Sequence, residues 1–242
     1  ALQGGIFDLD DERNPFRDYN MLYIPYCTAD AHIGDNVNEG INHKGFVNST
    51  AALAWAYEQF DELDHIFIAG SSAGAISAPF YAGFVAEQYP DAQIATLGDS
   101  SGGYHFPMTD TLENWGTLSL MQNELGVSDI PVENLNFEIS TIVNGARYPN
   151  IIFTQFNVDE DKVEQQFVSM SSGLDTPLAE MLAANHADIR AEIDNFRTYT
   201  VNDTYHMILP TKRFYKESVN DVLFYEWVTD LTNGVDVEDI AP

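Results

Sequence analysis

A single cysteine, Cys27, in a chain of 242 residues cannot close an internal disulfide, so oxidising conditions are neither required nor excluded. Basic residues are also scarce. Ten Lys and Arg stand against 38 Asp and Glu, a formal charge of −28 at pH 7, and such a surface repels nucleic acid and anionic membranes. No apolar run approaches the length of a bilayer span. The loop holding Asp8, Asp10, Asp11 and Glu12 lacks the central glycine and distal glutamate of an EF-hand; a solvated acidic loop without a metal is expected there. The carboxylates run through the whole chain and are not gathered in a tail. The expectation is an acidic skin over an ordinary core, self-repelling at low salt, as in a salt-adapted or marine protein.

Hydrophobic residues make up 45% of the chain, enough for one large core and one α/β domain. The most informative stretch runs from Asp64 to Tyr81. Ile66-Phe67-Ile68 reads as a buried parallel strand, residues after Ala73 read as a helix, and Gly70-Ser71-Ser72-Ala73-Gly74 lies between them. A glycine two residues before and two after the central serine suits a nucleophile elbow, where strand and helix backbones approach closely. Small-residue turns of this kind also occur in nucleotide-binding folds. As an elbow, the turn makes Ser72 the nucleophile and the backbone N–H of Ala73 an oxyanion donor. Ser71 is the competitor, flanked by alanines at the same offsets.

Upstream, Met21–Pro25 reads as a strand whose carboxyl-end loop offers Thr28, Asp30 and His32 as substrate-pocket candidates. Residues His43–Phe60 read as a helix and Gln93–Leu97 as the strand after the elbow helix. Helix, strand, helix, strand calls for right-handed crossovers in a mostly parallel, doubly wound sheet with helices on both faces. Asp99 closes that second strand as a further pocket candidate. Residues 104–148 read as a small helical cap segment within a single domain, with core packing an equal account of Phe106, Trp115 and Phe137.

A triad needs an acid at the end of a later strand and a histidine on a later loop. The strand at Asn150–Phe156 leads to Asp159 and Asp161. Asp161 directly precedes a helix and fits its N-cap, which leaves Asp159 as the acid. His206 follows the strand Thr198–Val201 and precedes the last helix, read as Val219–Leu231. His186 is assigned to a helix surface or rim, and His43 and His105 have no matching acid. The order Ser72, Asp159, His206 is that of the α/β-hydrolase fold.

The strings NPFRDYNMLYIPYCTADAHIG, HKGFVNSTAALAWAYEQF, HIFIAGSSAGA, LGDSSGGY and YTVNDTYHMIL together resemble the pectin acetylesterase family, which includes the Notum-type carboxylesterases. The resemblance runs from about Gly5 to Leu209. It implies an α/β-hydrolase fold, an extracellular setting and ester hydrolysis, with Ser72 as nucleophile, Asp159 as acid, His206 as base and Ala73 N–H in the oxyanion hole. Ser71 stands where members often have cysteine, and Ala29 where many have glycine. Members usually carry an upstream GGG-x-C loop that supplies further oxyanion donors, and Gly4-Gly5 does not replace it. The resemblance therefore implies a missing N-terminal segment of the same precursor, and Cys27 as the remnant of a lost disulfide.

The expected protein is a secreted serine carboxylesterase with no cofactor. It would act on small or neutral acyl esters, acetyl groups on neutral glycans among them, because a polycarboxylate substrate is repelled by this surface. Two alternatives are a catalytically impaired binding protein on the same fold and an amidase or peptidase using the same triad.

Overall fold

A computed structural model of the protein describes residues 4–242. In chain order the elements are β1 (Asn36–Asn38), β2 (Ile41–His43), α1 (Gly45–Gln59), β3 (His65–Ser71), α2 (Ala73–Gln88) and β4 (Gln93–Asp99). Next come α3 (Thr109–Trp115), α4 (Thr117–Leu120), α5 (Ile139–Arg147), β5 (Ile152–Val158), α6 (Lys162–Ser172) and α7 (Leu178–Glu192). The chain closes with β6 (Phe196–Val201), a small hairpin of β7 (Ser218–Val219) and β8 (Val222–Leu223), and α8 (Phe224–Thr232).

The central sheet has the order β3-β4-β5-β6, all parallel. Parallel strands are covered on both faces and therefore carry near-continuous apolar sequence. In β4 every residue but Gln93 is buried. On one face Ile94, Phe153 and Phe196 pack with Ala82, Val85 and Ala86 of α2 and Ile189 of α7. On the other, Leu97, Phe156, Tyr199 and Val201 meet Phe224, Trp227, Val228 and Leu231 of α8, together with Phe16 from the N-terminal region. Helix α2 is buried over most of its circumference, as a helix apolar all round must be. The fold is the α/β-hydrolase arrangement, with helices around the parallel sheet.

Met21–Pro25 is not a strand; Met21, Leu22 and Tyr23 are exposed and no strand pairs with them among the described residues. An apolar run becomes a strand only beside a partner that takes up its backbone groups. Phe106 and Phe137 are core residues, and Trp115 stacks on Phe137 at 6.0 Å. The last helix starts at Phe224, since the 3-10 turn Lys212–Tyr215 and the β7–β8 hairpin occupy the residues before it. Helix α7 turns His186 inward, to 7% exposure, and burial lowers its pKa to about 4. The histidine expected on the surface is thus a neutral ring within hydrogen-bonding distance of Gln155 and Asn157. No helix is long and apolar enough to cross a membrane among the described residues.

Candidate active site

Strand β3 delivers its last residue, Ser71, to a turn whose apex is Ser72, with φ 54° and ψ −119°. A non-glycine residue at positive φ is strained by about 1–3 kcal/mol and persists where neighbours over-determine it. Two of those neighbours are explicit. Ser72 N–H donates to the Asp99 carbonyl at 2.8 Å, and the Ser72 carbonyl accepts from Ala75 N–H at 2.8 Å. A Cβ at position 70 would collide with the Gly74 carbonyl, so that glycine is required, whereas one at position 74 would meet no packed neighbour. Ala73 is the first residue of α2, where backbone N–H groups have no acceptor within the helix.

Ser71 is removed from contention as nucleophile because its Oγ donates to Asp99 Oδ2 at 2.6 Å. Asp99 is 0% exposed and does not line a pocket, contrary to the expectation from its strand-end position. Its carboxyl accepts from Ser71 Oγ, Ser100 Oγ and the backbone N–H groups of Ile208 and Leu209. Burial pushes its pKa up, and these donors act in the opposite direction. Ser100 Oγ in turn accepts from Met207 N–H at 3.2 Å. Ser72, Ser100 and Met207 are all at positive φ, and all three belong to segments held by this hub. The elbow and the loop carrying His206 are therefore fastened to one buried carboxyl.

His206 Nδ1 lies 2.6 Å from Oδ2 of Asp161, not of Asp159. Asp161 does cap α6, with Oδ1 accepting from Val163 and Glu164 N–H. A carboxylate has two oxygens and about four acceptor sites, so the cap leaves Oδ2 for the imidazole. Asp159 is excluded as the partner of His206 by its position. Its N–H extends the β5–β6 ladder to Val201, its Oδ2 accepts from Asn202 Nδ2 at 2.9 Å, and its Oδ1 is buried without a partner. It faces an open groove of about 500 Å³ beside α6 that also includes Lys162, Gln165 and Pro177 but neither Ser72 nor His206. Burial acts to lower the pKa of His206, but the hydrogen bond and charge of Asp161 prevail and leave it raised. The other ring nitrogen, Nε2, is buried and has no hydrogen-bond partner.

The loop candidates upstream divide. Asp30 is 0% exposed and faces inward, accepting from Thr28 Oγ1 at 2.5 Å, His32 N–H at 3.1 Å and Gly45 N–H at 2.7 Å. Asp30 and Thr28 shape the loop and are not free to line a pocket. His32 is partly exposed, packs its ring 4.9 Å from Tyr26, and has its pKa lowered by burial. His105 does have acids: Nδ1 is 3.2 Å from Glu138 and Nε2 is 3.7 Å from Asp188. One ligand atom from each of His105, Glu138 and Asp188 lies within 4.8 Å of the others, a spacing that could hold a metal ion but that exposed acidic groups commonly show without one. Cys27 is free and exposed.

Sequence reasoning missed Asp161, Asn157 and Glu164. Asn157 Oδ1 and Glu164 Oε1 accept from Gly102 and Gly103 N–H at 3.1 and 2.7 Å, and Asn185 Nδ2 donates to the Gly102 carbonyl. Together they pin the loop that follows Asp99. The signal for Asp161 was the Asp-Lys-Val-Glu string itself, in which the cap and the third helical residue resemble a capping box placed at the carboxyl end of a strand.

The family model for pectinacetylesterase matches residues 2–159. The chain belongs to the pectinacetylesterase family. As a member it is a carboxylic ester hydrolase. The structure is similar to that of the Wnt deacylase Notum from Drosophila, with a TM-score of 0.67 at 16% sequence identity, covering 98% of this chain and 76% of that one. At that identity the likeness shows the fold. No curated protein matches the sequence.

Proposed function

We propose that this esterase hydrolyses small or neutral acyl esters through Ser72, His206 and Asp161. The observation that carries the reading is the 2.6 Å pair between His206 Nδ1 and Asp161, with Nε2 left unengaged on a loop fastened to the same buried carboxyl as the elbow. Ser72 Oγ attacks the ester carbonyl while His206 Nε2 takes its proton, and Asp161 holds Nδ1–H and stabilises the imidazolium. The tetrahedral oxyanion is met by Ala73 N–H at the start of α2. The imidazolium then protonates the departing alcohol, and water activated by the same nitrogen releases the acid from Ser72. No step calls for a cofactor.

With a formal charge of −28, the surface disfavours polyanionic substrates unless salt screens them. Acetyl groups on neutral glycans fit better, as does action outside the cell in a saline medium. One oxyanion donor is weaker than two, and losing one typically costs about 10²–10³ in turnover.

A serine-reactive fluorophosphonate in molar salt, with mass spectrometry of intact chain and peptides, tests the assignment. Adduct on Ser72 that is lost in Ser72→Ala is expected. A folded chain that takes no label would sink the assignment and favour a ligand-binding role. Turnover of an ester set against its matching anilide separates esterase from amidase.

A further inference from the structure

Three carboxyl groups are fully buried near the carboxyl ends of β4 and β5, and their donor sets differ. Asp99 accepts from two hydroxyls and two amides, and Asp161 from two amides and the His206 ring. Glu164, 1% exposed, accepts from Gly103 N–H alone, and its Oε2 is buried with no partner. The point where Oε1 meets Gly103 is also closed over by Leu178 and Val168. Glu164 is moreover adjacent to a second acid, since its own N–H donates to Asp161 Oδ1 at 3.0 Å. The groups that act on it are Gly103 N–H, Asp161, His206 and Asp99, and the phenol of Tyr104 is close enough to feel its charge. An ionised carboxyl needs donors or cations in place of the water it gives up, and a neighbouring anion adds to the cost. His206 is the one cation-forming group in the set, and its Nδ1 is committed to Asp161.

We infer that Glu164 is a positioning residue held protonated while the Asp161–His206 pair works, so that the base faces one carboxylate from the head of α6 and not two. The inference rests on the catalytic reading of that pair. The neutral acid keeps its carbonyl oxygen for Gly103 N–H and so still anchors the loop. Burial is the main force on its carboxyl, pushing the pKa up to about 8, with Asp161 and Asp99 adding and Gly103 N–H and His206 opposing. When Glu164 does lose its proton, the new charge stabilises imidazolium at His206 and withdraws the base. Two coupled groups then titrate in two steps that belong to the pair.

The test uses the folded, unliganded protein. Glu164→Gln is isosteric with the protonated acid and keeps an acceptor for Gly103. The infrared carbonyl band of a protonated carboxyl should be present in the parent at pH 7, fade as pH passes about 8, and be missing in E164Q. The His206 ring resonances of the parent should carry a second inflection over the same range, which E164Q loses. If E164Q removes no protonated-carboxyl band at pH 7, the inference is overturned. It is equally overturned if E164Q lowers the His206 midpoint by about one unit or more, because a charge on Glu164 would then have been supporting the imidazolium. Glu164→Leu removes the acceptor as well; it should share the E164Q titration but lose kcat with KM little changed. If E164L does not fold, the E164Q spectra decide alone. Fluorophosphonate labelling of Ser72 in parallel separates the two claims, since its absence counts against the catalytic reading while the carboxyl band still tests Glu164.

Discussion

Towards β4, strand β3 is paired along its whole length, from His65 opposite Gln93 to Ser71 opposite Asp99. Beyond β4 lie buried strands, the hydrogen-bonded carboxyls of Asp99 and Asp161, and the histidine loop. Towards the other side no strand pairs with β3 among the described residues, and Ala69 is exposed. Helix α1 packs Leu53 and Tyr57 with Ile66 and Ile68, yet turns Val47, Ala51, Ala54 and Trp55 to solvent. Tyr23 is 59% exposed and Trp55 53%. The difference teaches where proton-transfer hardware can be built. An acid–base pair needs exclusion of water and donors that hold its acid in place, and the flank towards β4 supplies both, with Asp161 capping α6 while it meets His206.

The largest effect that would break this contrast concerns the two aspartates. Asp161→Asn should lower kcat by about 10⁴-fold, as replacement of a triad acid does, while Asp159→Asn stays near the parent value. Steady-state hydrolysis of an aryl acetate by both variants measures it, and the reverse pattern would reinstate Asp159.

A pH series sharpens the same side. Because the pKa of His206 is raised in the fold, turnover should climb with pH through a midpoint above about 6.5, and in D161N the residual rate should show a lower midpoint. The sign for stability is opposite. The protonated ring bound to Asp161 stabilises the fold fully below its unfolded pKa, and that contribution fades as pH rises through the raised folded value. The difference in unfolding free energy between parent and His206→Gln, followed by urea titration from pH 5 to 9, should therefore shrink with pH.

Ser71→Ala deletes a 2.6 Å hydrogen bond to a buried carboxyl. A loss of about 1.5–3 kcal/mol in unfolding free energy is expected for a charge-assisted bond, with a fall in kcat because the elbow and the histidine loop share that carboxyl. Unchanged urea midpoint and kcat would remove Asp99 as the hub.

The smallest effect belongs to the open flank. Trp55→Ser should change unfolding free energy by no more than about 0.5 kcal/mol, as for an exposed site. A larger loss would mean that this face is covered in solution. Melting temperature should rise from low to molar salt in parent and variant alike, since screening relieves the repulsion of a −28 surface.

Much of the site was legible because its signals are local. The elbow is a short turn whose Gly70 has a steric reason, and the parallel sheet follows from strands that alternate with helices. The misses share a different cause. Asp30 and Asp99 stand at the ends of segments that commonly face a ligand, and only their partners decide that they turn inward. Asp161 looked fully employed as a helix cap, and its second oxygen finds a use only when a loop 45 residues downstream arrives. His186 looked peripheral because a helix pattern does not say which face meets the sheet.

By itself the sequence determined an α/β chain of acidic surface with Ser72 at a strand-to-helix turn and His206 on a late loop, since periodicity, turn sterics and residue order act over short distances. Tertiary structure alone decided which aspartate meets the histidine and which carboxyls are saturated. It also decided that, among the described residues, β3 is an edge strand. Those outcomes depend on contacts such as Asp99 with Leu209, 110 residues apart. Such partners are set by how the sheet and its loops close, and no spacing along the chain encodes them.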